Sequence, residues 1–90
     1  MTDPRQRYEF IQSELLFAQK CLRDAHLELA HQNVARAKEF LDAARRAHDG
    51  ALHQLPQLPP ESAGSLVVLA LSLADDLRQV QKEIQKYLNE

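Results

Sequence analysis

The sequence predicts an all-α fold, a three-helix bundle whose helices run up, down and up. The composition favours helix, since 44% of the 90 residues are hydrophobic, only 6% are aromatic and just two are glycine. Three segments place apolar residues at alternating spacings of three and four, which is the period of an amphipathic helix. Residues that end helices separate these segments. We therefore expect a single domain over residues 1–90.

The first helix is expected over about residues 4–30. Asp3 precedes Pro4, which is the order of an N-cap and a proline at the first helical position. Asn33 suits either a left-handed residue that ends this helix or the N-cap of the next one. The short link predicts an antiparallel hairpin of the first two helices. One face of the helix carries a continuous apolar stripe: Tyr8, Ile11, Leu15, Ala18, Leu22, Ala25 and Leu29.

The second helix is expected over about residues 33–55. Gly50 lies inside it and costs about 1 kcal/mol relative to alanine, which favours a kink or fraying at that point. The apolar pattern nevertheless continues beyond the glycine, so we expect the helix to continue to about Leu55. Its stripe has one polar member: Val34, Ala37, Leu41, Ala44, His48, Ala51 and Leu55.

Prolines separate the second helix from the third. Pro56, Pro59 and Pro60 lack amide donors and restrict the residues before them, so no helix can run through this segment. The third helix is expected over about residues 60–88. Its stripe is Ala63, Leu66, Ala70, Leu73, Leu77, Val80, Ile84 and Tyr87.

Charge and composition argue against several classes of function. The net charge is −2, and the basic residues of the second helix alternate with acids, so we expect no nucleic-acid partner. The most apolar run, residues 66–74, is too short to span a bilayer, and the mixed polar faces do not favour a membrane surface. The single cysteine, Cys21, cannot form an intramolecular disulfide. With no apolar export segment near the start, a cytoplasmic location is expected.

The histidines are the candidate chemical groups. His26 lies at the edge of the first stripe and His48 lies within the second. In an antiparallel hairpin their heights differ by roughly 15 Å, so they cannot share a metal ion within one chain. We expect His48 to be a hydrogen-bonded core residue, and a buried ring is poorly placed to accept a phosphoryl group. Glu28 and His31 have the spacing of di-metal bundles but point away from the core. No cofactor is therefore expected.

The chain has more apolar side chains than its three stripes use. Phe10, Phe17 and Cys21 form a second stripe on the first helix, and Val68 and Leu71 point away from the stripe of the third helix. Counting residues from the two turns places Val68 beside Phe17 and Leu71 beside Cys21. These side chains are therefore expected to form one exposed patch.

Three interpretations of this patch are open. In the first, the phenylalanines only widen the core; in the second, the patch is buried in a homo-oligomer; in the third, it binds another helical protein. The function that we predict is a non-enzymatic helical interaction or structural module, self-associating through Phe10, Phe17, Cys21, Val68 and Leu71. The alternative is a small metal-binding or catalytic helical protein, with a site formed between subunits by His26, His48 and neighbouring acids.

Overall fold

A computed structural model describes residues 3–89 and contains three α-helices. Helix α1 spans Pro4–Ala30, α2 spans Val34–Gln54 and α3 spans Pro60–Leu88. A single 3₁₀ turn, Leu55–Gln57, follows α2, and no residue within 3–89 is in a strand. The predicted all-α class is confirmed, and each predicted helix end lies within one residue of the observed end.

The start of α1 is fixed by the predicted cap. The Asp3 carboxylate accepts a hydrogen bond from the backbone N–H of Arg5 at 3.0 Å, and Pro4 occupies the first helical position. Proline has no N–H to leave unsatisfied there, and its fixed φ suits the helix. The local sequence therefore sets where α1 begins.

The turn between α1 and α2 uses two adjacent residues for two different roles. Gln32 has a φ of 62°, and the N–H groups of Gln32 and Asn33 donate to the carbonyls of Leu29 and Glu28 at 2.9 and 2.8 Å. These bonds form a Schellman motif, which usually has glycine at the left-handed position. Asn33 is instead the N-cap of α2, since its side chain accepts from the N–H of Arg36.

The segment between α2 and α3 is compact. Helix α2 is continuous through Gly50 and ends at Gln54, so the expectation that the helix continues beyond the glycine is confirmed. Leu55 and Leu58 are both buried and hold the 3₁₀ turn against the bundle. Pro59 then caps α3 and Pro60 begins it.

The core is built from the three predicted stripes. Tyr8, Val34 and Ala63 are partly buried, Tyr87 is 42% exposed, and every other member of the stripes is buried. The most completely enclosed large side chains are Ile11, Leu15, Leu73 and Val80. Burial of these apolar surfaces is the main favourable term in folding.

Contacts at both ends of the bundle show that α1 and α3 are parallel. Tyr8 Oη and Ser65 Oγ lie 3.4 Å apart near the starts of the two helices. Near their ends, the Tyr87 hydroxyl donates to the carbonyl of Leu29 at 3.4 Å. The bundle is long and thin, with dimensions of 49 × 18 × 16 Å, so each helix keeps one face in solvent.

Helices α1 and α2 approach each other most closely. Small side chains line both, including Ala18 and Ala25 on α1 and Ala44 and Ala51 on α2, and all four are fully enclosed. Small residues let two helix axes come together. Because the two helices are so close, residues beside the apolar stripes are also shielded from solvent where α1 meets α2.

Candidate functional site

The candidate site is the set of apolar residues that the core leaves uncovered. Val68 and Leu71 are 67% and 64% exposed, and Phe10 and Phe17 are each 51% exposed. Cys21 is only 4% exposed, so its predicted place on the surface is wrong. Because α1 and α2 pack so closely, the short Cys21 side chain lies inside their contact rather than beside it.

Burial also determines the chemistry of Cys21. Desolvation, and secondly the negative charge of Asp24, raises the pKa of the Cys21 thiol above its ordinary value. A buried thiol that stays protonated is a poor nucleophile. The arrangement therefore gives Cys21 a packing role.

The expected alignment of α1 with α3 is wrong. Tyr8 contacts the residue 57 positions later in the chain, and the contact between His26 and Glu83 has the same register. Val68 is therefore level with Ile11, and not with Phe17. The error is about six residues, or roughly 9 Å along the helix axis. It arises because the path of the 3₁₀ turn and the prolines sets where α3 begins, which counting residues from the turns does not capture.

The predicted contact residues that are exposed lie on two surfaces rather than one. His26 marks the side of α1 that faces α3, since its Nδ1 lies 3.5 Å from Glu83 Oε2. Phe17 stands nine residues earlier, which at about 100° per residue puts it on the opposite side of α1. Phe10 lies near Phe17 on that side, along the edge where α1 meets α2. Leu71, in contrast, lies on the opposite flank of α2, beside the groove between α2 and α3.

A shallow apolar groove runs between α2 and α3 next to Leu71. Its volume is about 270 Å³, smaller than most small-molecule sites, and its lining residues are His48, Leu52, Leu55, Pro56, Val67, Ala70, Leu71 and Ala74. Leu52 and Val67 are 43% and 41% exposed. Such a groove can accept apolar side chains, but it offers few polar groups to orient a ligand.

His48 is the polar residue at the floor of the groove, and its ring already forms a hydrogen bond within the chain. It is 6% exposed, and its Nε2 donates to the backbone carbonyl of Ala70 at 2.9 Å. Because a carbonyl can only accept, this contact requires a proton on Nε2. The prediction of a hydrogen-bonded core histidine is confirmed, and the bond ties α2 to α3.

His26 lies in a different part of the molecule from His48. It pairs with Glu83 where both side chains are nearly half exposed, so the pair contributes at most about 1 kcal/mol. It lines an open depression beside Lys86 and Tyr87, between α1 and α3. Within residues 3–89, no three histidine, cysteine, aspartate or glutamate side chains are grouped in a way that could hold a metal ion.

Sequence reasoning missed part of the outer face of α3. Exposed residues continue the line of Val68 and Leu71 in both directions with the same alternating spacing, and all are exposed. We call this set the outer stripe: Glu61, Gly64, Val68, Leu71, Asp75 and Arg78. Four of these six residues are charged or glycine, so no apolar pattern marks this line in the sequence.

Comparison with known proteins adds no candidate function. No family model, curated protein or solved structure matches the chain. Among the described residues, no helix combines the length and apolar character needed to cross a membrane.

Proposed function

We propose that this protein is a non-enzymatic helical module that self-associates through the outer face of α3. The observation that carries the proposal is the exposure of Val68 and Leu71, the two most exposed large apolar side chains among the described residues. They are one helical turn apart, so they form a continuous surface rather than scattered contacts.

The neighbouring groove enlarges this surface. Leu52 and Val67 are both partly exposed and adjoin Leu71 across the groove between α2 and α3. A contiguous apolar area on a small protein is typical of an interaction site. A partner helix that covers Val68 and Leu71 also removes these neighbours from water, which adds to the free energy of association.

Phe10 and Phe17 have a weaker case as contact residues. Half of each side chain is already covered by the chain itself, which supports the interpretation that they widen the contact between α1 and α2. They also lie on a different side of the molecule from Leu71. We therefore assign self-association to Val68 and Leu71 and use Phe17 as the control.

Light scattering coupled to size exclusion tests the proposal. The native protein is expected to shift from monomer to dimer as its concentration rises through the micromolar range. Val68→Asp and Leu71→Asp place a charge in the interface and are expected to give monomers. Phe17→Asp replaces a bulky, half-exposed apolar residue on the other surface and is expected to leave the dimer intact. A native protein that stays monomeric at high micromolar concentration overturns the proposal.

A further inference from the structure

The outer stripe places two apolar residues, Val68 and Leu71, between charged residues along one line of α3. Its residues follow one another at intervals of three, four, three, four and three, and this alternation keeps a line of side chains facing one partner helix. The stripe lies opposite the buried residues Leu66, Ala70 and Leu73. Helix α3 therefore carries two packing faces, one used within the chain and one unpartnered.

The order of these intervals is the same from either end of the stripe. An antiparallel second copy of α3, related by a two-fold axis, can therefore align with the stripe along its whole length. Centred at the level of Leu69 and Ala70, the alignment brings Val68 against Leu71 of the second copy. Gly64 then faces Asp75, and Glu61 faces Arg78.

The charges fit this antiparallel alignment. Glu61 is at the acidic start of α3, whereas Arg78 is near the other end of the stripe and pairs with Asp75 within its own chain. In the antiparallel dimer each Glu61 meets an Arg78 of the other copy. A parallel dimer would place Glu61 against Glu61 and Arg78 against Arg78, which is unfavourable.

Gly64 leaves room for a second helix on this face of α3. Apart from proline, glycine is the least favourable residue inside a helix, yet Gly64 lies within α3 with an ordinary negative φ. A Cβ atom added to it would meet no other atom of the chain within 4 Å. The space beside Gly64 is therefore open, as it is beside Gly50 on α2, and a second helix can approach closely there.

We infer that two copies of this chain pair through antiparallel α3 helices, with the apolar residues Val68 and Leu71 at the centre and Glu61–Arg78 ion pairs at both ends. This inference rests on the proposed self-association and specifies its partner and geometry. The stripe is about 26 Å long at 1.5 Å per residue. One helix from each copy makes a small interface, so a micromolar dissociation constant is expected.

Charge reversal tests the alignment, read by analytical ultracentrifugation at low salt. Glu61→Lys and Arg78→Glu each place two like-charged pairs in their own dimer and are expected to raise the dissociation constant about tenfold. An equimolar mixture of the two variants restores both attractive pairs in the heterodimer. The mixture is expected to associate as tightly as the native protein, within about twofold. Loss of folding cannot produce this rescue.

Two further variants sharpen the result. Glu39→Lys reverses an exposed acid on α2 that pairs with Arg36, and it is expected to leave the dissociation constant unchanged. Gly64→Leu improves helix propensity but fills the space for the second helix, so it is expected to melt at a higher temperature as a monomer and to lose the dimer.

The outcomes separate the two proposals. If the native protein dimerises but neither charge reversal weakens it, or the mixture shows no rescue, the antiparallel alignment is overturned and the self-association proposal stands. If the native protein is monomeric at every concentration, both are overturned.

Discussion

Cys21 and Phe17 are one turn apart on the same side of α1, yet they differ sharply in exposure, at 4% and 51%. At about 100° per residue, Cys21 lies about 40° nearer to the centre of the apolar stripe than Phe17. Its side chain is also shorter, so the thiol fits within the close contact of α1 and α2, whereas a phenyl ring extends past it into solvent. The angle on the helix and the length of the side chain together decide whether a flanking residue is buried.

The raised pKa of the Cys21 thiol predicts slow reaction with thiol reagents. Native protein is expected to react with a thiol reagent at least about tenfold more slowly than unfolded protein at neutral pH. The measurement is the rate of modification with and without denaturant. Cys21→Ser provides the blank, because no other cysteine is present.

The pH dependence of stability has a defined sign. The folded state holds the thiol proton more tightly than the unfolded state, because burial and Asp24 raise the pKa. The stability that this group contributes is therefore complete below the unfolded-state pKa and is lost as the pH rises through the folded-state pKa.

The thiol-modification experiment tests the burial of Cys21 directly. If native Cys21 reacts as fast as the unfolded chain, the assigned burial is wrong.

At the scale of the helices, local chemistry accounts for the observed boundaries. Asp3 and Pro4 begin α1, the prolines around position 59 separate α2 from α3, and each was identifiable without tertiary contacts. The assignment of Asn33 was open, because asparagine suits both a left-handed position and an N-cap. The structure gives Asn33 the cap and places Gln32 in the left-handed conformation.

The left-handed Gln32 yields a prediction about the hairpin. A residue with a Cβ atom is strained at this φ, whereas glycine is not. Gln32→Gly is therefore expected to raise the free energy of unfolding by about 0.5–1 kcal/mol, after allowing for the greater freedom of glycine in the unfolded chain. Urea denaturation measures the change.

A matched substitution tests the explanation. Gln19 is an exposed glutamine in the interior of α1, where glycine has no favourable role. Gln19→Gly is expected to lower the free energy of unfolding by about 1 kcal/mol. If both substitutions destabilise the protein equally, backbone strain at Gln32 is not significant.

At the scale of the whole molecule, the long and thin shape limits how much apolar surface can be buried. A chain of this size covers a smaller fraction of its surface than a larger domain does. The three stripes fill the core, so additional apolar residues such as Val68 and Leu71 remain outside. Association of two copies is a direct way to cover them.

The proposed dimer makes thermal stability depend on concentration. Binding between native chains stabilises the folded state by mass action. Above the dissociation constant, each tenfold rise in protein concentration is expected to raise the Tm of the native protein by about 3 °C. Differential scanning calorimetry measures it, and Leu71→Asp is expected to show a constant Tm. If the Tm of both proteins depends on concentration in the same way, coupling between folding and association is contradicted.

The helices, their ends and the three buried stripes can be predicted from the amino-acid sequence alone. These features depend on the 3.6-residue period and on capping groups, which act within a few residues along the chain. It is the packing of the three helices that encloses Cys21, places Val68 level with Ile11, and puts the phenylalanines and Leu71 on different sides. Those outcomes depend on how closely the helices approach and on the path of the linker between α2 and α3, and both arise from contacts between residues far apart in the chain.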